Sequence, residues 1–290
     1  MKSIGLVTLN KAYLPELNAY KEFFASNYTL SIVCESEDLS RYDILWYFMG
    51  TSGKRYRVDQ FVIHEYASLS TPPLSKIKNF IKRVFICKPD LRVFLNVNVK
   101  NEMGFSDEVP SVTRDMGVGR SFFECQEQTH DIKWDFIYVG SMEQARRIHL
   151  AIDSILKFRP DARVALVGLA SDFLISRYSG NENIEFIGKV DYEEISSLIR
   201  SSHVGLNYVP DIYPYNMQTS TKFLEYLACE RVVVTNRYSW VEEYCEKNDV
   251  DVIFLDELHK LTSLTIKASK SKVLSWDEVI EISRIESYLP

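Results

Sequence analysis

Short apolar runs alternate with amphipathic stretches along most of this 290-residue chain. That alternation constrains the fold more than any other feature. Two parallel strands cannot be joined by a tight turn, so a strand–helix–strand rhythm implies a parallel sheet with helices on its faces. The spacing predicts strands over 4–9, 30–34, 44–48, 61–64 and 93–97, a short extended piece at 111–114, and helices over 15–26 and 74–86. A polar stretch at 125–133 interrupts the rhythm and reads as a linker. The rhythm then restarts, with strands over 136–139, 163–167, 184–187, 204–208, 232–235 and 251–255 and helices over 145–158, 192–201, 221–229 and 240–247. The expectation is an α/β chain of two Rossmann-like, doubly wound domains, 1–125 and 126–274, followed by a helix at 275–290 that packs back on the first domain.

Composition removes several classes. With 46% hydrophobic residues the chain can bury substantial cores, so disorder is excluded. A net charge of −6 gives no global signal for nucleic acid. Cys34, Cys87, Cys125, Cys229 and Cys245 are scattered with no CxxC pair, against a zinc knuckle or a disulfide framework and in keeping with a reducing cytoplasm. No run approaches the ~18 apolar residues of a spanning helix, and the first residues read as a buried strand rather than a signal peptide. Asp161 and Asp172 are isolated, and no metal is expected as a cofactor.

The stretch from Thr219 to Ala228 carries the chemistry. Ser220 and Thr221 open an amphipathic helix, with Lys222 and Glu225 near its start. A helix N-terminus has unpaired N–H groups and a positive dipole end, so it suits an anion. Lys222 opposes that dipole, which is a reason to look for an anion beside it. Glu225 sits among apolar neighbours and must either face a ligand at a cleft edge or pair with a basic side chain. A phosphate beside a carboxylate that accepts sugar hydroxyls points to a nucleotide. Gly140 and Ser141 stand at a strand end where backbone approaches a ligand closely, although no GxGxxG fingerprint follows. Arg146 and Arg147 open the next predicted helix, either as a solvated face or as cations reaching a diphosphate.

The ordered series Tyr138-Val-Gly-Ser141, Arg146-Arg147, Val164 to Gly168, Ile184 to Gly188, Val204 to Tyr208, Lys222 to Ala228 and Val232 to Thr235 resembles the donor domain of GT-B glycosyltransferases. It is most similar to the retaining family-4 group. The likeness covers about 134–245, and its specificity lies in the order of the pieces. It implies two domains facing a central cleft and transfer of a sugar from a nucleotide-sugar, UDP- or GDP-linked, with retention and without metal. Arg146, with Arg147 as a close rival, and Lys222 would hold the diphosphate. The amides at Ser220 and Thr221 would meet the phosphates, Glu225 the ribose, and Gly188 to Val190 the base. The first glutamate of the family's E-x7-E motif falls at Met217, and Asp211 is out of register to replace it. His64, beside Glu65 in the first domain, resembles a strand-end histidine near the donor sugar, or else caps its strand. The glycine-rich loop of many relatives is replaced by 10–15.

The same resemblance implies a glycan acceptor, free or lipid-linked, in surface polysaccharide assembly in a bacterial cytoplasm. The helix at 74–86 places Ile77, Phe80, Ile81, Val84 and Phe85 on one face and Lys76, Lys78, Lys82 and Arg83 elsewhere. It reads as a domain helix with a solvated basic face, or as peripheral contact with an anionic membrane or a lipid-linked diphosphate. Two other functions stay open. One is a nucleotide-binding relic without transfer, suggested by Met217. The other is a nucleotide-sugar epimerase, which needs an acid–base pair such as His64 and Glu65.

Overall fold

A computed structural model of the chain describes residues 1–9, 14–70, 73–124, 131–264 and 272–290. Most of the predicted linker, and the loop expected to replace the glycine-rich turn, fall at 125–130 and 10–13, outside the described residues.

The described residues form two compact units. Unit 1 comprises Met1–Gly119, Met217–Thr219 and Leu274–Pro290, and unit 2 comprises Arg120–Asn216 and Ser220–Val273. Unit 1 contains β1 (Lys2–Val7), α1 (Pro15–Phe23), β2 (Tyr28–Val33), β3 (Ile44–Phe48), β4 (Phe61–Tyr66), α2 (Ser75–Phe85), β5 (Leu91–Phe94), α3 (Val97–Met103) and β6 (Ser111–Thr113). Its sheet has the order β2-β1-β3-β4-β5-β6, and every pairing is parallel. The central strand β3 is buried along its whole length, as a parallel strand covered on both faces must be. Ile44, Trp46 and Phe48 enter one core cluster, Leu45 and Tyr47 the other. The final helix α9 (Trp276–Ser283) belongs to this unit. A Ser275–Glu278 capping box starts it, and Trp276 and Ile280 lie in the first cluster.

A charged group lies inside unit 1. Arg114, fully buried, pairs with Glu65 and stands 3.7 Å from Glu16. Glu65 also accepts from Trp46 Nε1 at 2.8 Å and Tyr20 Oη at 3.1 Å. Burial pushes the Glu16 carboxyl up to about 7, against the pull of Arg114.

Unit 2 contains β7 (Trp134–Val139), α4 (His149–Phe158), β8 (Val164–Val167), α5 (Asp172–Tyr178), β9 (Ile184–Gly188), α6 (Tyr192–Arg200), β10 (Ser202–Asn207), α7 (Thr221–Ala228), β11 (Val232–Thr235), α8 (Ser239–Asn248) and β12 (Ile253–Phe254). Its parallel sheet has the order β12-β11-β10-β7-β8-β9. That is the doubly wound order in which the chain reverses direction between β7 and β10, so ligands are expected at the carboxyl ends of those two strands.

Three readings are corrected. α4 begins at His149, because a 3-10 turn at Gln144–Arg146 precedes it and Arg147 is left-handed at φ 52°. The strand expected over 93–97 ends at Phe94. Asn96 then caps α3, accepting from the Val99 N–H at 2.9 Å. Finally, α2 does not pack through its apolar face. Ser75 and Asn79 are buried, while Ile77, Phe80, Ile81, Val84 and Phe85 are between 47% and 75% exposed.

Candidate functional site

Three neighbouring strands of unit 2 reach glycine at their carboxyl ends: Gly140 after β7, Gly168 after β8 and Gly188 closing β9, with φ of +134°, +127° and +83°. Such values disfavour any side chain. The first two also allow close approach, since a Cβ on Gly168 would stand 2.2 Å from the Gly140 carbonyl oxygen. A Cβ on Gly140 would lie 3.3 Å from Lys222 Cε, and one on Gly188 would meet nothing within 4 Å. Together they leave a backbone-lined edge beside Lys222.

The helix that carries Lys222 is fixed from beneath. Tyr226 accepts a hydrogen bond from the Val139 N–H at 2.9 Å, and its ring fills the space that a side chain on Gly205 would need. Phe223 packs edge-on against Trp240 and Tyr244. Ser220 occupies the N-cap position, yet its hydroxyl makes no cap bond. It donates instead to Asn207 Oδ1 at 2.8 Å, and the Asn207 amide in turn donates to Thr235 and Tyr238. The first-turn amides of α7, those of Thr221, Lys222 and Phe223, therefore receive nothing from the cap side chain. They remain donors at the positive end of the helix.

Two cations meet there. Lys222 Nζ lies 5.0 Å from the centre of the Tyr138 ring, and the Arg146 guanidinium lies 4.6 Å from that of Tyr215. Burial, reinforced by the charge of Arg146, pushes the Lys222 ammonium down to about 8, against the pull of Glu225. The charge of Arg147 is felt instead at Tyr208. Its left-handed backbone turns it out of the predicted helix, so Arg146 rather than Arg147 is grouped with Lys222. One turn along α7, Glu225 is 3% exposed and accepts from Tyr192 Oη at 2.9 Å. Burial pushes it up to about 7, opposed by the Tyr192 bond and by Lys222. The partner of Glu225 is thus a hydroxyl at the start of α6, and the Tyr192 ring lies tilted against Phe122 with centroids 5.4 Å apart. Val190 lies half-buried between Gly188 and that helix. Ser141 is exposed, and its carbonyl accepts from Tyr138 Oη at 3.0 Å.

Other predicted residues lie apart from this group. His64 sits inside β4 rather than at its end, is 1% exposed, and has Nε2 3.1 Å from the Gly53 carbonyl oxygen. Burial holds its pKa down to about 4, so the ring is neutral. This is the strand-stabilising alternative, and the ring is not presented to a sugar. The Met217 carbonyl accepts from Asn96 within unit 1, and Asp211 accepts from Asn216 at 3.0 Å. Sequence reasoning missed Tyr138, Tyr192, Asn207 and Tyr215 as supports of the site. They are scattered along the sequence, and no local pattern marks them. Among the described residues no three His, Cys, Asp or Glu side chains gather in a metal-binding group.

Residues 146–268 match the protein family described as Glycosyl transferase-like. No curated protein matches the sequence. Among solved structures, sucrose-phosphate synthase from Thermosynechococcus elongatus aligns with TM-score 0.72 at 11% identity, covering 99% of this chain and 96% of that one. Anabaena Alr3699/HepE, solved in complex with UDP and glucose, aligns with TM-score 0.66 at 10% identity, covering 91% and 89%. The UDP-GlcNAc 2-epimerase of Methanocaldococcus jannaschii aligns with TM-score 0.55 at 13% identity, covering 99% of both. These likenesses establish the GT-B fold, two Rossmann-like units with parallel six-stranded sheets. An epimerase among them means that the fold alone does not select the reaction.

Proposed function

We propose that this chain is a glycosyltransferase that binds a nucleotide-sugar in unit 2 and releases a nucleoside diphosphate. One observation carries the reading. Lys222, Arg146 and the uncapped amides of α7 converge on a glycine-lined strand edge, with the Glu225 carboxylate one turn away. Cations and fixed N–H dipoles stabilise the charge that grows on a leaving diphosphate, and they need no rearrangement to do so. Arg146 and Lys222 hold the two phosphates, while Thr221 and its neighbours donate backbone N–H groups. Glu225, oriented by Tyr192, accepts from the ribose hydroxyls. Gly188, where a side chain would have open space, and Val190 border the base. The match of 146–268 to a glycosyl transferase-like family and the UDP in the Anabaena neighbour favour a nucleotide-sugar donor and make UDP the first nucleotide to test.

Transfer with retention and without metal is part of this proposal, since two cations already face the leaving group. The family resemblance supports a glycan acceptor, free or lipid-linked, in surface polysaccharide assembly. The epimerase reading is weaker here. It would draw an acid and a base from His64 and Glu65. The first is enclosed on the Gly53 carbonyl and the second is bonded to Arg114, Trp46 and Tyr20.

Thermal melting with UDP, GDP, ADP and CDP tests the proposal, because a ligand that binds only the folded state raises Tm by mass action. One nucleotide should raise Tm, and Glu225→Ala should weaken its binding by about 1–3 kcal/mol. No shift with any of the four, in protein that is folded, would refute it.

A further inference from the structure

α2 is turned inside out. Successive residues of a helix are about 100° apart, which places Ser75, Asn79 and Lys82 on one side and Ile77, Ile81 and Val84 on the opposite side. The polar side faces the unit. Ser75 is 8% and Asn79 5% exposed, and Asn79 Oδ1 accepts from the Ser70 N–H at 3.0 Å. The apolar side faces out, with Phe85 75% exposed and Leu74, just before the helix, 66%. An amphipathic helix in a globular unit ordinarily buries its apolar stripe. A contiguous exposed stripe of six large apolar side chains marks a contact surface.

Charge identifies the partner. Lys76 and Arg83 fall on one flank of the stripe and Lys78 on the other, while Lys82 lies on the inward side. None of the 11 residues of α2 is acidic, whereas the chain as a whole carries −6. Arg83 also lies over the Phe80 ring, 5.2 Å from its centroid, so the cation borders the apolar patch directly. A second copy would bring the same basic flanks against each other. An apolar stripe with basic side chains on both flanks matches a surface that is apolar below and anionic above.

We propose that α2 is a monotopic docking helix for anionic lipid bilayers. Ile77, Phe80, Ile81, Val84 and Phe85 enter the headgroup–acyl boundary, and Lys76, Lys78 and Arg83 meet the lipid phosphates. This inference does not rest on the sugar-transfer reading, and the two fail independently. Nucleotide binding reports on unit 2, whereas vesicle binding reports on α2.

The test is co-sedimentation of the full chain with phosphatidylcholine vesicles, with and without phosphatidylglycerol, at low and high salt. Wild type should sediment with the anionic vesicles and less so at high salt. Changing Lys76, Lys78 and Arg83 together to Ser should lower partitioning by at least about tenfold. Phe80→Ser with Ile81→Ser should lower it by roughly tenfold or more at low salt. These side chains are exposed, so Tm should be unaltered and serves as the folding control. The four native tryptophans are buried. A Phe85→Trp probe should therefore shift to the blue on anionic vesicles and be quenched by brominated acyl chains. Wild type that stays in the supernatant, or variants that sediment equally well, would overturn the proposal. So would a dimer that Phe80→Ser dissociates in a protein that ignores vesicles, or capture of an acidic protein segment in place of lipid.

Discussion

Lys222→Met is the sharpest perturbation of the candidate site, because it should move stability and ligand binding in opposite directions. The Lys222 ammonium is held down from 10.5 to about 8. At about 1.36 kcal/mol per pH unit, holding that charge costs the ligand-free protein about 3 kcal/mol. The side chain is only partly enclosed, so this is an upper bound. The folded pKa lies below the unfolded one. The cost is therefore complete below pH 8 and disappears as pH rises towards 10.5. Methionine keeps the aliphatic stem beside Gly140 and removes the charge. The ligand-free Tm at pH 7 should rise, by roughly 2–4 °C for each kcal/mol relieved. The same variant cannot donate to a phosphate, and a lost charge-assisted bond of about 1.5–3 kcal/mol weakens Kd about 10- to 100-fold. Differential scanning fluorimetry with titrated nucleoside diphosphate reads both effects in one experiment. In wild type the nucleotide-induced shift should also shrink between pH 7 and pH 9, as Lys222 loses its proton near 8. Lys222→Arg, charged at both pH values, should keep the shift constant. A methionine variant whose nucleotide-induced shift equals that of wild type would refute the assignment of an anion to this lysine.

Two further outcomes follow from buried groups. Glu16 has its carboxyl raised from 4.5 to about 7 by burial, so below pH 4.5 folded and unfolded chains are both protonated and no penalty exists. Between pH 4.5 and 7 the unfolded chain ionises first and stability falls. Glu16→Gln should therefore gain up to about 3 kcal/mol in urea unfolding at pH 8 and little at pH 4. An equal gain at both would remove the account. Gly168→Ala forces a side chain onto the Gly140 carbonyl at φ +127°. It should cost on the order of 1–3 kcal/mol of stability by denaturant titration. Because the strain falls on the strand edge beside Lys222, the nucleotide-induced Tm shift should fall with it, and an unchanged shift would detach that edge from the site.

Parts of this protein were legible from sequence for definite reasons. β3 and β11 were bounded to the residue, because β3 is an apolar run that starts after Asp43 and β11 is a β-branched run between Arg231 and Asn236. Lys222 and Glu225 stood out because charged side chains in a helix that packs on a sheet require an explanation. α3 was missed because Val97 and Val99 extend a strand-like run. Its signals were Asn96 at the cap and the left-handed Gly104 at the end. Arg147 adopts a positive φ with neither glycine nor proline beside it, so only tertiary packing ends the helical pattern there. The Tyr192–Glu225 bond joins residues 33 apart, and nothing local encodes it. The orientation of α2 was out of reach for a simpler reason. Periodicity tells which residues share a face, but not which way that face is turned.

That orientation has a consequence for how the molecule can change. The core of unit 1 closes without Ile77, Phe80, Ile81, Val84 or Phe85, since none of them contributes to it. Replacing them leaves folding free energy almost untouched, so selection for stability neither preserves nor forbids their greasy character. Whatever demand keeps that stripe apolar must come from the surroundings, and the contact it makes can be retuned without renegotiating the fold.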